Sequence, residues 1–277
     1  MALSLLVLTD FFQPAKCALN YAATLVAATG GHLVLLHVHR DSVLDPDLLT
    51  GTLEPLDNQA INQAFENLTR HLTVPVVAEV GFGQVAEAIA AAVSRHRPDL
   101  LVLGRPDTED LPDELIATTA LDILRSVPYP MLVVPPAVRQ GHVPRQVLLA
   151  VDGEIFTLGE HAGSVHHLFN ALHAELTVLH IANHNQNSQD NTAKALDSVL
   201  RTGLALESAV PVRIRSVVAA HPAEAIIQAA QPASADLVAL IARPRSFWGQ
   251  LFHHSVTAQV LLHSIVPVLV LPAQEQD

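Results

Sequence analysis

Short apolar runs punctuate the chain at near-regular intervals, and between them the apolar residues fall into a helical period. In the first half the runs are Ser4–Thr9 (SLLVLT), His32–Val38 (HLVLLHV), Val74–Val80, Leu100–Leu103 and Met131–Val134. They are short and rich in consecutive Leu and Val instead of alternating apolar and polar residues. That is the pattern of strands buried on both faces of a sheet. The intervening segments Pro14–Ala28, Asp57–His71, Gln84–Arg95 and Leu115–Ser126 carry helical periodicity. Pro14 suits a first helical turn, and Gly30-Gly31 suits a helix stop. Strand–helix alternation predicts βαβ units with right-handed crossovers and a parallel sheet.

The pattern then repeats. LLVLTD, ending at Asp10, returns as VLLAVD, ending at Asp152. HLVLLHV returns as ELTVLHI, with His180 in the place of His37, and AEAIA at Ala86 returns as AEAII at Ala223. DLLVL from Asp99 matches DLVAL from Asp236, and VPYPMLVVP matches IVPVLVLP. From the AEAI segment onward the offset holds at 137 residues, so the last part of each half aligns without a gap. The fold class expected is α/β: two repeated, doubly wound domains, 1–139 and 140–277. The stretch PPAVRQGHVPR (Pro135–Arg145) reads as the linker.

Composition narrows the function classes. Half of the 277 residues are apolar and only 4% are aromatic, so the core is built from Ala, Val, Leu and Ile. A net charge of -12 argues against nucleic-acid binding through a broad basic face. Cys17 is the only cysteine, which precludes an intrachain disulfide and fits a reducing, cytoplasmic setting. The N-terminal apolar run reads as a first strand rather than a signal peptide. No uninterrupted apolar run reaches the ~20 residues of a membrane span, so no membrane partner is expected.

Ligands of open α/β sheets bind beyond the carboxyl ends of the strands, where the strand order reverses. Asp10, Val38, Gly104 and Thr118 fall there. Together with LRSVPYPMLVV and the paired RSFWGQLFHHSV…VPVLVLP, this layout resembles the universal stress protein family in its tandem form. The resemblance implies, for each half, a five-stranded parallel sheet of order 3-2-1-4-5 with helices on both faces. It also implies that ATP-binding members carry Gly-x2-Gly-x9-Gly-[Ser/Thr] after strand four. By family position, nucleotide contacts would fall on Asp10, Val38, Gly104, Thr118 and Thr119 in the first half. In the second they would fall on Asp152, Ile181, Arg245, Ser246, Ser255 and Val256.

Both loops depart from that motif. The first keeps Gly104 but has Asp107 and Ala117 at the other glycine positions; the second has Ile241, Pro244 and His254. Glycine permits positive φ and close approach to a phosphate, and proline has no N–H to donate. The first loop also carries Asp107, Glu109, Asp110, Asp113 and Glu114. Two like charges ~4 Å apart cost about 4 kcal/mol at an effective dielectric of 20. The second half is less acidic, with 11 acidic against 7 basic residues compared with 16 against 8. Arg243, Arg245, Ser246, His253, His254 and Ser255 give it a basic-polar rim. Ser255 reads either as an N-cap of the last helix or as part of an anion site.

The remaining features carry less. Histidines 161, 166, 167 and 173 cluster without a Cys or Glu-x-x-His companion, so no metal site is expected. The repeat of His37 at His180 points to a structural role in the sheet. With no Gly-x-Ser-x-Gly elbow or Walker loop, no catalytic residue is assigned. Trp248, Phe247 and Phe252 read as loop packing or as a contact surface. By the strand order that the resemblance implies, the terminal strands MLVV and VLVL would be exposed edges, and pairing them within the chain covers both. Homodimerisation and an unknown protein partner stay open. The expectation is a stress-response regulatory or binding protein, not an enzyme, with degenerate nucleotide loops, no ATP in the first domain and no cofactor. The alternative is ATP or another adenine nucleotide, bound and slowly hydrolysed through the second domain.

Overall fold

A computed structural model describes residues 2–39, 58–107, 113–182, 188–204, 212–232, 234–243 and 255–274. The first half runs β1 (Ser4–Thr9), α1 (Gln13–Thr29), β2 (His32–His39), α2 (Asn58–Thr69), β3 (Val76–Phe82), α3 (Val85–His96), β4 (Leu100–Gly104), α4 (Asp113–Ser126) and β5 (Met131–Val134). The second half repeats it with β6 (Gln146–Val151), α5 (Ala162–Ala171), β7 (Glu175–Ala182), α6 (Ser188–Arg201), β8 (Arg213–Val218), α7 (Pro222–Ala229), β9 (Leu237–Ala242), α8 (Val256–His263) and β10 (Val268–Pro272). A short 3-10 turn, Gly159–His161, precedes α5.

Strand order is β3-β2-β1-β4-β5 in the first half and β8-β7-β6-β9-β10 in the second. Within each half the pairs are parallel. The halves meet where β5 and β10 pair antiparallel, Leu132 opposite Leu269, so one ten-stranded sheet runs through the molecule. Its outer strands, β3 and β8, are the exposed edges.

The two-residue period of a strand sorts the core into two layers. Leu5, Val7, Leu33 and Leu35 face one side, where α1, α2, α5 and α6 supply Leu19, Phe65, Val165 and Val199. Leu6, Val34 and Leu36 face the other, against Ile89, Leu124, Ile226 and Leu261 of α3, α4, α7 and α8. Pro14 lies in the first turn of α1, and Gly30 ends that helix at φ 72° with its N–H on the Val26 carbonyl. Strand β3 starts and ends two residues later than its apolar run, because Pro75 offers only its carbonyl, which Leu33 N–H uses. The extra pairs are Gly81 with Val38 and Phe82 with His39.

One device occurs in both halves. Asp99, just before β4, accepts from Ser4 N–H (2.8 Å), and Asp236, just before β9, accepts from Arg145 and Gln146 N–H (3.0 Å each). Each carboxylate thereby pins the start of the neighbouring strand. Asp99 also accepts from Ser164 of α5, and Tyr129 packs edge-on against His161 at 4.5 Å, so both contacts cross between the halves. Tyr21 of α1 is 2% exposed and its hydroxyl has no partner among the described residues. Burial pushes its phenol far up, with the Asp236 charge adding to the effect.

Candidate functional site

In the first half the chain leaves β1 for one face of the sheet through α1, and leaves β4 for the other through α4. The two paths diverge at the carboxyl ends of these adjacent strands, and the crevice between them is a cavity of about 370 Å3. Its walls are apolar, with Leu8, Leu36, Val38, Leu103, Val85 and Ile123. Its polar side chains are Thr9, Asp10, His37 and Arg105. Asp10, Val38 and Gly104, expected from the sequence, are thus brought together here. Thr118 and Thr119 lie on α4, with side chains outside the described residues, as are residues 108–112 of the acidic loop.

The Asp10 turn is strained. Phe12 N–H donates to Asp10 Oδ1 (2.9 Å) and Phe11 N–H to Thr9 Oγ1 (3.0 Å), and within this turn Phe11 sits at φ 67°. A bulky residue rarely adopts that conformation, at a cost of about 1–3 kcal/mol. The Phe11 ring is held against His37 (centroids 4.5 Å apart) and Phe65 (5.3 Å). The second half makes the same turn, Glu154 N–H to Asp152 Oδ1 at 3.1 Å, and there the central residue is Gly153 at φ 82°. His37 Nδ1 sits 2.9 Å from the Thr9 carbonyl, which can only accept, so Nδ1 carries the proton. His180 faces the Val151 carbonyl in the same way at 3.4 Å. The repeated histidine therefore ties the second strand of each half to the first.

Gly104 has a packing role as well as a place in the cavity wall. A Cβ there would lie 2.2 Å from the Pro14 carbonyl oxygen, so α1 could not start where it does. Arg105 follows, anchored by its N–H to the Val134 carbonyl (2.8 Å). Its side chain crosses to the second half, where Nη1 donates to the Leu261 carbonyl (2.8 Å) in the last turn of α8. That carbonyl has no partner within its own helix. The Nε of Arg105 is buried with no acceptor among the described residues. Burial pulls the guanidinium pKa down, the charge of Asp107 working the other way. A buried donor without a partner costs about 1–3 kcal/mol.

In the second half Asp152 is occupied from within. Arg243 grips it with two parallel bonds, Nε to Oδ2 and Nη2 to Oδ1, both 2.8 Å. The same guanidinium donates to the Ile155 and Glu154 carbonyls at 3.0 Å each. Burial pushes the Asp152 carboxyl up, but the Arg243 hydrogen bonds and the Glu154 N–H outweigh it and hold it below the ordinary 3.8. Arg243, expected from the sequence on a basic rim, is turned inward and only 13% exposed. The longer connection from Asp152 to α5 buries Phe156 and Leu158, and Thr157 bridges to Gln274. Ile181 is half-buried on β7, packed into the core. Ser255 caps α8, accepting from Ala258 N–H at 3.1 Å, and Val256 is exposed beside it. Arg245, Ser246, Pro244, His253, His254 and the Trp248 cluster lie outside the described residues. Among the described residues no group of His, Cys, Asp or Glu is placed to hold a metal ion. No helix there is long and apolar enough to cross a membrane.

This architecture, a repeated 3-2-1-4-5 sheet, is matched in known proteins. The family model "Universal stress protein family" matches residues 1–135 and again 144–272, so the chain belongs to the universal stress protein family in tandem form. The fold is similar to that of a universal stress protein from Archaeoglobus fulgidus DSM 4304, at TM-score 0.69 and 15% identity, over 98% of this chain and 99% of that one. A putative universal stress protein from Pseudomonas aeruginosa UCBPP-PA14 gives 0.59 and 19%, over 98% and 93%. A protein of unknown function from Pseudomonas aeruginosa PAO1 gives 0.58 and 20%, over 98% and 92%. At these identities the likeness is one of fold. No curated protein matches the chain in sequence.

Proposed function

We propose that this universal stress protein works by binding rather than catalysis, in the reducing cytoplasm, with units 1–139 and 140–277 in unequal roles. The first unit accepts a nucleoside-sized ligand in its cavity; the second is closed. The observation that carries this reading is the contrast between the two equivalent aspartates. Both oxygens of Asp152 are held by Arg243, whereas Asp10 accepts one N–H, from Phe12, and its Oδ2 has no partner among the described residues. An exposed carboxylate at the mouth of an apolar cleft suits a ribose hydroxyl or a base amino group. At about 370 Å3 the cavity is at the small end of ligand sites.

Magnesium-ATP fits less well. Asp107 and the carboxylates that follow it in sequence bring negative charge to the region where a triphosphate would lie. The reading in which the second unit binds and slowly hydrolyses ATP loses its base-side contact to the Arg243 fork. Ligand occupancy of the first unit then acts in the stress response through conformation or a protein partner. Calorimetric titration of nucleotide-free protein tests this. Adenosine or AMP binds at one site per chain, and magnesium-ATP gives no saturable heat up to about 1 mM, a ceiling near 4 kcal/mol. Tighter magnesium-ATP binding would overturn the reading.

A further inference from the structure

Arg105 is the polar cavity residue that the fold buries without completing its hydrogen bonds. It lines the apolar cavity, one donor goes to the Leu261 carbonyl of α8, and Nε–H is buried without an acceptor. No carboxylate among the described residues makes an ion pair with it, whereas Arg243, one residue further along in the repeat alignment, is saturated by Asp152 and two carbonyls. A guanidinium has five donors arranged as a fork that matches a two-oxygen anion. Burial of a cation without such a partner is unfavourable, and a carbonyl offsets it only in part.

Resting on the first-unit reading above, we infer that the cavity's ligand ends in a single oxyanion, a carboxylate or a phosphate monoester, which completes the coordination of Arg105 while Asp10 takes a hydroxyl or amino donor at the other end. The two side chains select a ligand with a donor at one end, an apolar middle and one anionic group. Because Arg105 also caps α8, the same anion touches the residue that joins the first unit's cavity to the second unit.

The test compares adenosine with AMP and adenosine-5′-carboxylate by calorimetry at constant ionic strength. One or both anions bind at least about 10-fold more tightly than adenosine, the ratio expected of charge-assisted hydrogen bonds. The tighter of the two identifies the anionic group. In Arg105→Gln the ratio of anion to adenosine affinity falls to about 1, whatever the change in adenosine affinity itself. Equal affinities for adenosine and both anions in the wild type would overturn the inference and leave the cavity reading intact. Absence of binding by all three would overturn the cavity reading itself. Should Arg105→Gln not fold, the wild-type ratio still decides, and Arg105→Lys, which keeps the charge but not the fork, is expected to retain only part of it.

Discussion

Removing Arg243 should uncouple the connection after β6 from the end of β9, and the size of the effect follows from its surroundings. The guanidinium makes four bonds of 2.8–3.0 Å, two of them to a carboxylate. Breaking a fully buried pair costs about 3–5 kcal/mol, and a surface pair is worth about 0–1. Here the cation is 13% exposed and the Asp152 carboxylate 51%, which places the pair between these limits. Arg243→Met, which keeps most of the side-chain volume, should cost about 2–3 kcal/mol because two carbonyls also lose their donor. Asp152→Asn should cost about 1 kcal/mol, and the double variant should reveal a coupling of about 1–1.5 kcal/mol. Urea unfolding followed by circular dichroism and by the single tryptophan, Trp248 in the second half, supplies the cycle. The folded-state pKa of Asp152 lies below its ordinary value, so the coupling is full above about pH 4 and is lost as pH falls through that lower value. Additivity of the two changes within about 0.3–0.5 kcal/mol at pH 7, or a coupling unchanged in acid, would mean that the Arg243–Asp152 fork does not join these segments.

Three further outcomes follow from single atoms. Tyr21→Phe deletes a buried hydroxyl without a partner and should leave stability unchanged or raise it by about 1 kcal/mol in urea unfolding. Gly104→Ala should cost at least about 1–3 kcal/mol, since its Cβ would meet the Pro14 carbonyl at 2.2 Å and push α1 off β4, with a loss of ligand affinity in the same preparation. Ser255→Ala removes the cap of α8 and should cost about 1 kcal/mol in thermal unfolding, without effect on titrations of the first-unit cavity.

The strands were legible because burial on both faces leaves an unbroken apolar signature: β1 and β5 have the same bounds in sequence pattern and structure. The repeat was legible because the offset is constant, which also placed Asp10 and Asp152 in equivalent turns. What the sequence hid was the use to which charged residues are put. Arg243 meets Asp152 across 91 residues, and Arg105 meets the Leu261 carbonyl across 156. Neither pairing has a local periodicity to betray it. Nor did the retained Gly104 signal its packing duty, because a glycine at a strand end reads equally as a phosphate turn. The strain at Phe11 could be inferred only by setting it beside Gly153, its counterpart in the repeat.

In the proposed function the first unit is the open one and the second is closed by its own arginine. Titration of adenosine into wild type, Asp10→Ala and Asp152→Asn decides it. One site per chain, lost in Asp10→Ala and retained in Asp152→Asn, is the predicted result. Binding that survives Asp10→Ala and disappears in Asp152→Asn would contradict it and place the working site in the second unit.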